Sequence, residues 1–262
     1  MANKCSPRLL LSVPICTILL VFCQTLAAQS VDKFAPGPAG AAAPGPPDVR
    51  PTPLALTVDQ ALKKFGPAGR KCIVSRFERA GIVYPPKKSC LIYLKEENRL
   101  YLFAPDQKQK WIEIACYKLT SWAGTLGPKL KEGDMQMPEG FYKFTALDAR
   151  THLCLWINYP NSWDRAQAKL ERRSALGGDI QIHEGVYSTG CIVLDHPSMT
   201  ELFVLAHDIG CENIELIMAP CNLATHEPTI DFGAQPRWLP KLYKQLKGSL
   251  TRFPISGGQP KI

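Results

Sequence analysis

The chain has 262 residues, 45% of them apolar and 21% charged. That is enough for one substantial hydrophobic core, and it excludes both a disordered chain and a multi-span membrane protein. The net charge of +8 suits an anionic polymer or a carboxylate-bearing substrate. The basic residues are spread along the chain, so no nucleic-acid partner is expected.

Lys4 and Arg8 precede an almost wholly apolar run from Leu9 to Leu26, followed by Ala27 and Ala28. Basic, apolar, then small is the order of a secretory signal peptide, expected over residues 1–28. The rival is a retained anchor, because the run approaches the length of a membrane span. Leu20-Val21-Phe22-Cys23 faintly resembles a lipoprotein box, but the bulky Phe22 argues against lipidation. Residues 29–56 are rich in Pro, Gly and Ala and read as a semi-extended linker. The expected location is therefore the periplasm or cell envelope. Export also changes the meaning of the cysteines. Seven of the ten lie outside the leader, and an oxidising compartment favours up to three disulfides with one thiol left over.

The folded body is expected over 57–225. Thr57-Val58-Asp59-Gln60 caps a short helix to Phe65, which Gly66-Pro67 ends. A second helical stretch over 71–80 stops at Gly81, and Pro85-Pro86 forces extended chain. Leu91–Ala104 reads as a hairpin turning at Glu96-Glu97-Asn98. Further strands fall at Trp111–Leu119, Phe141–Phe144, Leu153–Ile157, Asp179–His183, Cys191–Leu194 and Ile214–Met218. A helix opens near Pro197, with Ser198 and Glu201 spaced as a capping box and Gly210 as its stop. Many short strands and few helices predict a mostly-β, β-sandwich-like body with a few peripheral helices. Residues 226–262 form a basic extension. Its Lys241, Lys244 and Lys247 with Leu239, Leu242 and Leu246 suit a short amphipathic helix packing loosely on the body. Membrane contact is expected only through an uncleaved leader or this tail.

The chemistry concentrates in DIQIHEGVYSTGCIVLD, residues 179–195. Ile180 and Ile182 alternate with Gln181 and His183, so His183 faces away from the isoleucines. Gly185 and Gly190 permit sharp turns, and the chain is expected to loop and return with Cys191 near His183. A free thiol is mostly protonated at neutral pH. An imidazole can accept that proton and release a thiolate, and Gly190 lets backbone N–H groups face a developing oxyanion. The rival chemistry is zinc bound among His183, Cys191, His196, His207 and Cys211. No C-x-x-C or H-x-x-x-H pair supports it, so neither a metal nor any other cofactor is expected.

The segment IHEGVYSTGCIVLD resembles the active-site motif of YkuD-type L,D-transpeptidases, and more closely the YafK-like branch, where the histidine-to-cysteine interval is short. LGPKLKEGDMQMPEGFYKF (126–144) is similar to that branch's substrate-side loop, and INYPNSWDR (157–165) to its turn. The resemblance implies Cys191 as nucleophile, His183 as base, the Glu184 carbonyl orienting the imidazole, and Gly190 in the oxyanion hole. It also implies peptidoglycan stem peptides as substrate. Thr189 and Val193 stand where most members have a second histidine and an arginine, and Glu184 where most have a glycine. Arg165, Lys129 and Lys131 are therefore the candidates to hold a substrate carboxylate, with Tyr159, Ser188 and Thr189 as further substrate contacts.

The expected function is a cysteine acyl transfer that forms crosslinks or protein–wall links. Two alternatives stand beside it. One is an amidase of the same family that releases a wall-attached lipoprotein or peptide. The other is a wall-binding module without activity.

Overall fold

The structure is a computed structural model and describes residues 55–257. The expected leader and nearly all of the expected linker lie outside the described residues. In chain order the elements are α1 (Val58–Arg79), β1 (Ser89–Leu94), β2 (Arg99–Pro105), β3 (Trp111–Lys118), β4 (Gly140–Asp148), β5 (Cys154–Ile157), α2 (Ser162–Leu170), β6 (Gln181–Glu184), β7 (Ile192–Leu194), α3 (His196–Ile209), β8 (Ile214–Ala219) and α4 (Leu239–Leu250). The fold is mostly β, as the sequence suggests. One eight-stranded sheet runs β3-β2-β1-β8-β4-β5-β6-β7. The β1–β8 and β6–β7 pairs are parallel and the other pairs antiparallel.

Alternation along the strands builds two cores. On β1, Leu91 and Tyr93 join the cluster that holds Ile73 and Phe77 of α1 and Leu202 and Phe203 of α3. Cys90, Ile92 and Leu94 join the cluster closed by Leu242, Tyr243 and Leu246 of α4. Side chains of successive strand residues point to opposite faces, so a strand covered on both sides reads as a continuous apolar run.

The structure departs from the sequence reading at four elements. First, α1 is one helix and does not stop at Gly66-Pro67. A methyl at Gly69 would sit 2.6 Å from the Thr200 side chain, so that glycine serves the close approach of α3. The α1–α3 contact is reinforced by Arg76 donating to Glu201 (2.6 Å) and Arg70 to Asp208 (2.7 Å). Packing of this kind outweighs the helix-breaking preference of a single Gly-Pro. Second, Asp195 caps α3 by accepting from Ser198 N–H, in place of a Ser198–Glu201 box. Third, α2 falls where only a turn was read. Asn161 accepts from the Trp163 and Asp164 N–H groups, and the Asp164 side chain accepts from Asn161 N–H. Fourth, α4 does not pack loosely: Leu239, Leu242, Tyr243, Leu246 and Leu250 are all buried.

The seven cysteines among the described residues are free thiols. Cys72 is exposed on α1, whereas Cys90 faces the α4 side of the sheet. Likewise Cys211 packs on the α1–α3 side and Cys221 on the α4 side. The sheet separates each of these pairs, so neither forms a disulfide.

Candidate active site

The seven residues between β6 and β7 bring the chain back to where β6 began. The two strands therefore run in the same direction, with Ile182 beside Ile192 and His183 beside Val193. The sequence suggested an out-and-back path, but the loop is long enough to reset the direction. Cys191 stands two residues before Val193. His183 and Cys191 are thus offset by two residues across this pair, Cys191 lying just ahead of β7. Among the described residues their side chains are not hydrogen-bonded to each other.

His183 is half-buried, and its Nδ1–H donates to the Glu184 carbonyl at 2.8 Å. That bond fixes the ring proton on Nδ1 and leaves the Nε2 lone pair free. Burial holds the imidazole's proton affinity below the ordinary value, and the neighbouring His152 adds to this. His152 stacks on His183 with ring centroids 4.6 Å apart, and its Nε2 lies 3.0 Å from Gln181 Oε1. The Glu184 carboxylate does not compete for the histidine. It accepts from Leu153 N–H at 2.9 Å and pairs with His196 Nδ1.

The Cys191 thiol donates to the Asp179 carbonyl at 3.6 Å. Burial raises its pKa and nearby Asp179 raises it further, while the Gln181 N–H and the charge of Lys129 act the other way. Both shifts favour the uncharged forms, a thiol and a neutral imidazole.

The loop between them is tightly made. Ser188 Oγ donates to the Cys191 carbonyl at 2.7 Å and accepts from Gly190 N–H at 3.2 Å. Gly190 has φ +127°, and a methyl there would lie 2.8 Å from the Gln136 carbonyl oxygen. Only glycine meets both conditions without strain. Thr120 ties the far side, its hydroxyl donating to the Gly185 carbonyl at 2.8 Å. Thr189, Val186 and Tyr187 are exposed at the loop's crest.

Of the two upstream motifs, the first abuts the Cys191 loop and the second packs on the first. The 126–144 segment supplies Gln136 against Gly190. Tyr159 donates from its hydroxyl to the Leu176 carbonyl (3.2 Å) and the Lys129 carbonyl (3.4 Å). Lys129 is buried in an ion pair with Asp134 (2.6 Å) and also donates to the Lys131 carbonyl (3.0 Å), so its ammonium is already engaged. Lys131 and Arg165, the latter on α2, are exposed. Sequence reasoning missed His152, Asp179, Gln136 and Thr120. Their roles come from pairings between distant strands and loops, which local spacing does not reveal.

Two curated proteins match at 32% identity over 113 residues, "Putative L,D-transpeptidase YafK" from Escherichia coli K12 and its counterpart from Escherichia coli O157:H7. The chain resembles the YafK-type L,D-transpeptidases. The match covers 42% of this chain and 43% of each relative. It thus spans less than half the length of the curated proteins. No family model matches. Among solved structures, the helical cell shape determining protein Pgp2 of Campylobacter jejuni aligns at 16% identity and a TM-score of 0.41, over 63% of this chain and 70% of that one. Bdellovibrio bacteriovorus Bd1075 aligns at 18% and 0.37, over 63% and 55%. Among the described residues no helix is long and apolar enough to cross a membrane.

Proposed function

We propose that this protein is an exported cell-envelope enzyme that transfers acyl groups of peptidoglycan stem peptides through Cys191. The observation that carries the reading is the His183 Nδ1–H bond to the Glu184 carbonyl, which leaves Nε2 as a proton acceptor on the strand paired with β7, the strand that Cys191 leads into. The likeness to YafK supports the substrate class.

The chemistry follows from the neutral pair. His183 Nε2 takes the thiol proton as the sulfur attacks an amide carbonyl carbon, giving a tetrahedral adduct with its charge on oxygen. Backbone N–H groups around Gly190 and Cys191 stabilise that oxygen. The adduct collapses by breaking the C–N bond, and the imidazolium returns its proton to the departing amine. An incoming amine then attacks the thioester, loses a proton to His183 and frees Cys191 as a thiol. Catalytic contacts that are long in a ligand-free enzyme tighten when substrate is bound. With Lys129 engaged by Asp134, Arg165 and Lys131 are the cations left to hold a stem carboxylate. An unchanged KM in Arg165→Ala would remove Arg165 from that role.

The test is incubation of the purified protein with muropeptides, and separately with lipoprotein–muropeptide conjugates, followed by mass analysis. Crosslinked or exchanged products that vanish in Cys191→Ala are expected, with a loss of roughly 10⁴-fold or more. Free-acid products would assign water as the acceptor. Equal product from Cys191→Ala would sink the proposal.

A further inference from the structure

A second sulfur and imidazole meet at the other parallel pair of the sheet. The β1–β8 pairing continues past both strands: Lys95 N–H donates to the Ala219 carbonyl (3.0 Å) and Glu96 N–H to the Pro220 carbonyl (2.9 Å). Glu96 and Cys221 therefore leave the sheet side by side. The chain then turns back at once. The N–H groups of Thr225 (2.9 Å) and His226 (3.2 Å) both donate to the Asn222 carbonyl. This turn carries His226 over Glu96, with Nε2 2.8 Å from Glu96 Oε2. One sulfur, one imidazole nitrogen and one carboxylate oxygen lie within 4.8 Å of one another. We propose that Glu96, Cys221 and His226 form a binding site for one divalent cation of the zinc type, with water in the fourth position.

The placement of protons argues for a cation here. The Thr225 hydroxyl donates to the Asn222 carbonyl at 2.9 Å. While that bond is kept, it accepts from His226 Nδ1, 3.2 Å away. That puts a ring proton on Nδ1 and turns Nε2 toward the carboxylate. In that tautomer Nε2 and Glu96 Oε2, 2.8 Å apart, are two acceptor atoms facing one point, as two ligands of one cation do. The Cys221 thiol makes only a long contact, donating to the His226 carbonyl at 3.7 Å, which a sulfur–metal bond would replace. Outer hydrogen bonds such as Thr225 to Nδ1 are what orient metal-binding imidazoles.

The donor set selects the ion. Sulfur, imidazole nitrogen and carboxylate oxygen together suit zinc, whereas magnesium and calcium require oxygen donors. Cys221 is fully buried, while the His226 and Glu96 side chains are 48% and 35% exposed. The sulfur thus forms the floor of a site that opens to solvent. Burial pushes the Cys221 thiol up to about 12, assisted by Glu96, Glu227, Glu139 and Glu97. The same carboxylates attract a cation. On binding, the Cys221 S–H bond breaks, its proton leaves to solvent, and a sulfur–metal bond takes its place. The ion would pin the Cys221–His226 turn to the end of β1.

The experiment uses the purified protein, stripped with a chelator and titrated with Co²⁺ as a coloured stand-in for zinc. One equivalent should produce a sulfur-to-cobalt charge-transfer band in the near ultraviolet, and Zn²⁺ should displace it. Cys221→Ser should remove the band and Cys191→Ser should keep it. His226→Gln, a change at an exposed side chain, should weaken Co²⁺ binding about tenfold or more. No band at stoichiometric cobalt, a band that survives Cys221→Ser, or an unchanged affinity in His226→Gln would each overturn the proposal. None of these readouts is a turnover, so the result is separate from the fate of the acyl-transfer reading.

Discussion

The turns at 183–191 and 221–226 use the same two side chains, a thiol and an imidazole, each placed beside a parallel strand pair. They differ in what the histidine's second nitrogen meets. At His183, Nδ1 is bonded to a backbone carbonyl and Nε2 is left as an acceptor. At His226, Nε2 is held against Glu96. The thiols differ too: Cys191 is half-buried and next to a loop with an exposed crest, whereas Cys221 lies at 0% exposure under its turn. Residue type is therefore a poor guide to role. On the two readings proposed above, the partner of the far ring nitrogen and the route of solvent to the sulfur are what would separate a reactive pair from a binding pair.

The largest expected break in this comparison comes from His183→Gln, which should lower kcat/KM about 10²–10⁴-fold. In the proposed mechanism the active form carries a neutral imidazole, and burial lowers that ring's proton affinity. Activity should therefore persist as pH falls below about 6.5, the ordinary imidazole value, before the acid limb sets in. A pH–rate profile checks this, and an acid limb above that value would contradict it. Next in size is the contrast between the thiols. Iodoacetamide on the native protein should label Cys191 and exposed Cys72 while Cys221 reacts roughly 10²-fold more slowly, waiting on local opening. Peptide mapping over time reads the difference, and equal rates would erase it. The smallest effect belongs to the loop itself. Gly190→Ala adds a methyl against the Gln136 carbonyl at a positive φ, and should cost about 1–3 kcal/mol. That would lower Tm by several degrees, on the order of 2–4 °C per kcal/mol. An unchanged Tm would mean that the loop is looser than its contacts suggest.

The strands were legible because burial leaves a short-range trace. The apolar runs Leu91–Leu94 and Leu100–Phe103 and the turn between them needed no distant information. The Ile180/Ile182 alternation likewise placed His183 off the core. What failed to show needed a partner from elsewhere in the chain. Gly66-Pro67 looked like a stop until α3 came close enough for Gly69 to matter. The direction of β7 depended on how seven loop residues close. His152, thirty-one residues before His183, reaches it only through the β5–β6 pairing. At the second turn, the five-residue step from Cys221 to His226 carries no signal until Glu96 arrives from the end of β1.

Lys95 and Glu139 form a buried ion pair at 3.0 Å, and Tyr243 of α4 donates to the other carboxylate oxygen at 2.7 Å. Lys95 also donates to the Gly127 carbonyl at 2.6 Å, at the start of the segment that abuts Gly190. A version of the protein trimmed after Ala224 would therefore lose more than length. It would leave a carboxylate one donor short and uncover the apolar floor beneath α4. Such a product should clump when expressed, and anyone seeking a minimal active fragment should keep the chain through at least Phe253, whose ring packs on Phe103 and Trp111.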